Sequence, residues 1–387
     1  MNTRSPLYLD HAATTPCADE VVAAMQPYWT SQFGNAAAAG IEGRRAAMAV
    51  DQAKQDIAAL VAGQPAGITL TSGATEANYL AIAGAAAAQA DKERNEILIS
   101  AAEHDSVLAA AQSMAAQGYI IKTIPVNAAG EVSVEALSAL LSPRSFLVSV
   151  MTANHETGVV QDIPGLAACA RSAGALFHTD AAQAAGKVPV DAAAWGVDMM
   201  TICAHKIYGP QGIGALYVRP APPVPMAPVM GGSGGQALRA GTVPAALAAG
   251  FGVACRLAAE YLARDTAAAM DARAAFVQVL QEQGAAFTVN GAGAARFAPH
   301  ILNVHIAGID AADMMLDLSS QLTFSTGAAC RSASGKTSRV LAAMGLGAVE
   351  ASQSIRLSFG RDITPEAARA AAQIIAGYVQ KQLHKAD

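Results

Sequence analysis

Asp198-Met199-Met200-Thr201-Ile202-Cys203-Ala204-His205-Lys206-Ile207-Tyr208-Gly209-Pro210 is an apolar run that ends on a basic dipeptide and a Gly-Pro turn. Upstream, Ala175-Leu176-Phe177-His178-Thr179-Asp180 is a second apolar run, closed by an acid and followed by Ala181-Ala182-Gln183. Read as consecutive strands, the two runs carry Lys206 and Asp180 to neighbouring strand ends. Outward from them, 68–71, 96–100, 120–124, 146–151 and 214–218 have the same character, giving seven strands that alternate with helical patterns. Alternating βα units predict an α/β fold built on a mostly parallel sheet. Ligands gather outside the carboxyl ends of such strands. Thr71-Ser72-Gly73, Asn154-His155-Glu156, Asp180 and His205-Lys206 are therefore expected along one edge.

That edge has a chemical reading. Pyridoxal phosphate needs a lysine amine to hold it as a Schiff base and an acid against its pyridine nitrogen, which makes the ring an electron sink. Lys206 and Asp180 fit those two roles. Thr71-Ser72-Gly73-Ala74-Thr75-Glu76-Ala77-Asn78 adds a strand, a small-residue turn and a helix start, whose free backbone amides suit a phosphate. His104, just after the strand ending at Ser100, is placed to stack on a cofactor ring and to move protons. Asn154 and Gln183 offer hydrogen bonds to the cofactor's phenolic oxygen.

The 387 residues exceed one typical core, so two domains are expected. After the strands, the proline-rich stretch 218–225 reads as a rigid loop. A long helix from 246 to about 284 leads to short strands at 286–289, 301–306 and 355–359 and a terminal helix from 365 to about 383. These define a smaller α+β domain. The boundaries expected are 15–255 for the large domain, and 1–14 with 256–387 for the small one.

A hydrophobic content of 53% with 14% charged residues implies extensive burial, and a net charge of -5 gives no basis for nucleic acid or a membrane surface as partner. No signal-peptide core follows Met1, and the longest apolar stretches, such as 245–255, read as too short to span a bilayer. A cytoplasmic protein is expected. Five widely spaced cysteines without a C-x-x-C signal neither a disulfide framework nor a metal site.

Together these motifs resemble the cysteine desulfurases of the fold-type I pyridoxal phosphate enzymes. The resemblance runs from Tyr8-Leu9-Asp10-His11-Ala12-Ala13-Thr14-Thr15-Pro16 to Ser354-Ile355-Arg356-Leu357-Ser358-Phe359-Gly360-Arg361. Between lie Gln32-Phe33-Gly34-Asn35, the segments already quoted, Asn154-His155-Glu156-Thr157-Gly158 and Ser325-Thr326-Gly327-Ala328-Ala329-Cys330. The resemblance implies that Lys206 carries the cofactor, Asp180 pairs with the ring nitrogen and His104 stacks on the ring. It further implies that Thr75, beside Ala74, binds phosphate with His205 and Thr242, the last from a second subunit of a homodimer. Arg356, whose planar fork suits a carboxylate, would grip L-cysteine near Asn154.

Cys330 would take the substrate's sulfur as a persulfide, releasing L-alanine, and pass it to an acceptor for iron-sulfur cluster assembly. Its segment, 325–336, is small and polar with no apolar periodicity, and the cationic Arg331 and Lys336 favour a reactive thiolate. Cys17, Cys169, Cys203 and Cys255 read as inert. The chain departs from the family's pattern at Met230 to Thr242, and at Cys203, where a phosphate-binding Ser is common. It also ends without the long tail that housekeeping members use to dock the scaffold, which points to a specialised system such as nitrogenase maturation or to another docking surface. Two other readings stay open: a selenocysteine lyase or aminotransferase, and a non-catalytic subunit of an assembly complex.

Overall fold

The computed structural model describes residues 6–230, 238–326 and 337–386. Cys330 and the flanking 327–336 lie outside the described residues, as do 231–237. The chain enters through a short strand β1 (Leu7–Tyr8). It then lays down β2 (Ile68–Thr71), β3 (Glu96–Ser100), β4 (Ile120–Ile124), β5 (Ser145–Ser149), β6 (Leu176–Asp180), β7 (Met199–Cys203) and β8 (Gly214–Val218). Later come β9 (Phe287–Val289), β10 (Ile301–Ile306), β11 (Leu322–Thr323), β12 (Ser325–Thr326) and β13 (Ser354–Ser358).

Among the described residues β2 to β8 form one seven-stranded sheet, ordered β2-β8-β7-β6-β5-β3-β4. All neighbours pair parallel except β8, which is antiparallel to both β7 and β2. The expected α/β class holds, with boundaries displaced by at most two residues. Strands β3, β5 and β7 are buried at every position, which is why they read as continuous apolar runs instead of alternating ones. Their side chains still alternate between two cores. Ile97, Ile99, Leu147, Met199 and Leu216 pack under the helices Ala74–Ala88 and Asp105–Ala115. Leu98, Val148, Phe177, Met200 and Ile202 face the opposite side, against the helices Ile41–Leu60, Ile163–Ser172 and Ala245–Glu282.

A second sheet, β12-β13-β10-β9, is antiparallel throughout. It packs with the terminal helix Pro365–Ala386 around a separate core that includes Leu9, Phe276, Leu302 and Phe359. The helix Ala245–Glu282 serves both cores, with Phe251 in the first and Phe276 in the second. At 1.5 Å per residue these two rings lie about 38 Å apart along its axis. By length and hydropathy alone this helix could cross a membrane, more than its apolar start indicated. Half of its most apolar stretch is buried inside the protein instead.

Candidate active site

The carboxyl ends of β2, β3, β5, β6 and β7 open onto a cavity of about 710 Å³, closed on its far side by Asp10, Ser325 and Arg356. Lys206, Asp180, His104, Gln183, Ala74, Thr75, Cys203, His205 and Arg356 all line it. The strand geometry explains the convergence, because Asp180 is the last residue of β6 and Cys203 the last of β7. His104 follows β3 by four positions and caps the helix Asp105–Ala115.

Asp180 is buried and held on both oxygens. Oδ1 accepts from the Ala182 amide at 2.9 Å and Oδ2 from Asn78 Nδ2 at 2.7 Å. The same Asn78 nitrogen donates to Ser106 Oγ at 2.9 Å, and Ser106 Oγ lies 2.8 Å from His104 Nδ1. The Ser106 amide also donates to His104 Nδ1, at 3.2 Å, which makes Nδ1 an acceptor and puts the neutral ring's proton on Nε2. One hydrogen-bonded chain, Asp180-Asn78-Ser106-His104, thus fixes both residues expected to embrace the cofactor ring.

Lys206 Nζ donates to the carbonyls of Ala12 and, at 2.6 Å, Ala13. Among the described residues no carboxylate forms an ion pair with it, and burial lowers its pKa from the ordinary lysine value. Gln183 Nε2 donates to the same Ala12 carbonyl at 2.8 Å. His205 Nδ1 lies 3.1 Å from Thr14 Oγ1, and burial, helped by Lys206, brings its pKa down to about 4. Cys203 is buried, and its thiol pKa is pushed up to about 12.

Ala74 and Thr75 open the helix Ala74–Ala88, whose first amides have no intrahelical partners. Gly214, at the start of β8, lets the backbone pass this turn. A Cβ there would lie 2.8 Å from Gly73 Cα.

At the other end, Arg356 Nη1 donates to the His155 carbonyl at 3.0 Å, while Nη2 donates to Asp10 Oδ1 at 2.7 Å and Ser325 Oγ at 2.9 Å. Beside it, burial raises the Glu156 carboxyl to about 7 even though Ser338 Oγ donates to it at 2.6 Å. His155 stands edge-on to His104 with ring centroids 5.2 Å apart, and burial holds its pKa well below the usual histidine range.

Two expected residues do not join the group. Asn154 is buried outside the cavity lining. Its Oδ1 caps the turn by accepting from the Glu156 and Thr157 amides at 2.9 Å, and its Nδ2 donates to the Ala102 carbonyl at 3.0 Å. Thr242 is exposed and lines no part of this chain's cavity. Asn78, Ser106, Asp10 and Ser325 were missed as site residues. Asn78 and Asp10 stand inside quoted motifs, but the role of each depends on a partner far away in sequence.

A buried lysine amine held by the Ala12 and Ala13 carbonyls, a buried clamped carboxylate and a helix start around one cavity are the donor set that pyridoxal phosphate requires, and the residues fit it. Fold and site therefore define a pyridoxal phosphate enzyme of the fold-type I class. More narrowly, the chain belongs to the aminotransferase class-V family, whose model matches residues 7–370. It is 40% identical over 383 residues to the cysteine desulfurase IscS of Neisseria gonorrhoeae, covering 98% of this chain and 94% of that one. A solved NifS-like protein superposes with a TM-score of 0.89 at 28% identity, over 97% of this chain and 99% of the other. A second, SspA in complex with cysteine, gives 0.81 at 32% identity, over 92% and 99%.

Proposed function

We propose that this protein is a cysteine desulfurase, taking sulfur from L-cysteine and delivering it to an acceptor protein for iron-sulfur cluster assembly. The observation that carries the reading is one cavity in which Lys206 and Asp180 face Arg356, with Ser325 on its wall five positions before Cys330.

Pyridoxal phosphate held by Lys206, Asp180, His104 and the amides of Ala74 and Thr75 supplies an electron sink for the substrate's α-carbon. Arg356 orients the substrate carboxylate. Lys206 Nζ, with its pKa lowered by burial, is suited to take the α-proton and return it. Cys330 Sγ then attacks the substrate sulfur: the carbon–sulfur bond breaks and a sulfur–sulfur bond forms. Protons rebalance so that L-cysteine and the Cys330 thiol become L-alanine and a persulfide. Burial raises the thiol pKa of the other four cysteines, which disfavours their thiolates and is in keeping with this role for Cys330.

Burial of Ala248, Phe251 and Cys255 in the first core, and of Leu9 and Ala272 to Leu280 in the second, supports a division near 15–255 and 1–14 with 256–387, with Ala258 and Ala298 packing across it into the first core. A homodimer is part of this reading. It would bring Thr242 to a partner's phosphate site and cover Val22, Trp29, Phe33, Ile41 and Met48, all exposed. Unpaired thiols suit a reducing cytoplasm.

The test is product analysis on the purified holoprotein given L-cysteine and a thiol reductant. Equal amounts of alanine and sulfide are expected, and both disappear in Cys330→Ala. Pyruvate in place of alanine, or turnover that survives in Cys330→Ala, would overturn the assignment.

A further inference from the structure

Arg356 has no bidentate site to spare. A planar guanidinium offers a carboxylate two two-point edges, Nε with Nη2 and Nη1 with Nη2, and both include Nη2. In this structure the two hydrogens of Nη2 are both in use, one on Asp10 Oδ1 at 2.7 Å and one on Ser325 Oγ at 2.9 Å. Ser325 Oγ in turn donates to Asp10 Oδ2 at 2.8 Å, closing a ring of three side chains. All three line the cavity, and the Asp10 and Arg356 side chains are only 13% and 11% exposed. Arg356 Nε is buried and has no hydrogen-bond partner among the described residues. The ring is held from outside: Ser325 pairs with Arg356 across β12 and β13, and Asp10 bridges to Ser358 on β13.

We infer that Asp10 is a specificity-determining residue, an internal carboxylate that occupies the substrate's place on Arg356 and must be displaced when an amino acid binds. The inference rests on the reading of Arg356 as the carboxylate grip. The exchange swaps one charge-assisted pair for another, so Arg356 keeps an anionic partner in both states and is never a buried unpaired charge. Only a ligand whose carboxylate makes a better two-point contact than the single Asp10 oxygen shifts the balance. Amines without a carboxylate leave the ring closed. A carboxylate that reaches Arg356 through one oxygen competes on poor terms, so the ring selects for α-amino acids seated at full depth.

The experiment is equilibrium binding of L-alanine and of ethylamine to holoenzyme, read from the cofactor's absorbance, in wild type, Asp10→Asn, Ser325→Ala and Arg356→Ala. Removing the competitor's charge in Asp10→Asn is expected to tighten L-alanine binding about five- to tenfold, the scale of one charge-assisted hydrogen bond less its reorganisation. Ethylamine binding stays as in wild type. Ser325→Ala, which keeps the carboxylate but opens the ring, moves the same way by about twofold and provides a second reading if Asp10→Asn folds poorly. Weaker L-alanine binding in either variant would overturn the inference and make Asp10 a positioner of Arg356 instead. Arg356→Ala separates the two claims. If it leaves the preference for L-alanine over ethylamine intact, the carboxylate grip itself fails. If it abolishes that preference while Asp10→Asn does not tighten binding, only the exchange fails.

Discussion

The two ends of the cavity are built by different means. At the cofactor end, Asp180 ends a buried parallel strand, His104 caps the helix that follows another, and the two are tied to each other through Asn78 and Ser106. At the substrate end, Arg356 projects from a small antiparallel sheet and is held by Asp10 and Ser325, side chains that a substrate can replace. A cofactor that stays needs permanent partners, whereas a substrate that comes and goes needs partners that release. Permanence comes from backbone amides and buried amide side chains, release from paired charges at the cavity wall.

The largest break in that comparison is Lys206→Ala. It removes the amine on which both ends converge, and turnover is expected to fall by at least about 10³-fold, with loss of the lysine-linked cofactor absorbance. An unchanged spectrum would refute the placement of Lys206. Asn78→Ala tests permanence alone. It leaves Asp180 Oδ2 buried with one partner fewer and cuts the link to His104, so cofactor affinity, measured by dialysis and retitration, should weaken about tenfold. Substrate KM at saturating cofactor should hardly move.

A third effect is read in stability rather than at either end of that comparison. Glu156 has a folded pKa of about 7, raised by burial above the ordinary glutamate value of 4.5. A raised acid favours the folded state when protonated, so its contribution is complete below pH 4.5 and is lost as pH rises to about 7. Thermal melts from pH 5 to pH 8 should show wild type losing stability on the order of 2 kcal/mol more than Glu156→Gln. Parallel pH profiles of the two proteins would show that Glu156 is ionised throughout.

The strands were legible because strands buried on both faces are mostly apolar along their length, with polar residues such as Glu96, Ser100, Ser145 and Asp180 near their ends. The direction of β8 had a signal that went unread. The ten residues between Cys203 and Gly214 are too few for a crossover helix between parallel neighbours, so the strand had to return antiparallel. Asn78 and Asp10 were beyond reach for another reason: their partners lie 102 and 346 positions away, and only tertiary packing brings them together. Asn154 caps its own turn outside the cavity lining, and in sequence a buried amide of that kind looks like one that waits for a ligand.

The helix Ala245–Glu282 carries a last consequence. With one end seated under the large sheet and the other under the small one, it acts as a shared axle. Neither body can melt without freeing half of that axle, so heating should give a single transition, and a fragment ending near its middle should leave an apolar stump that aggregates. A protein whose two halves grip the same rod keeps the walls of the cavity between them in register.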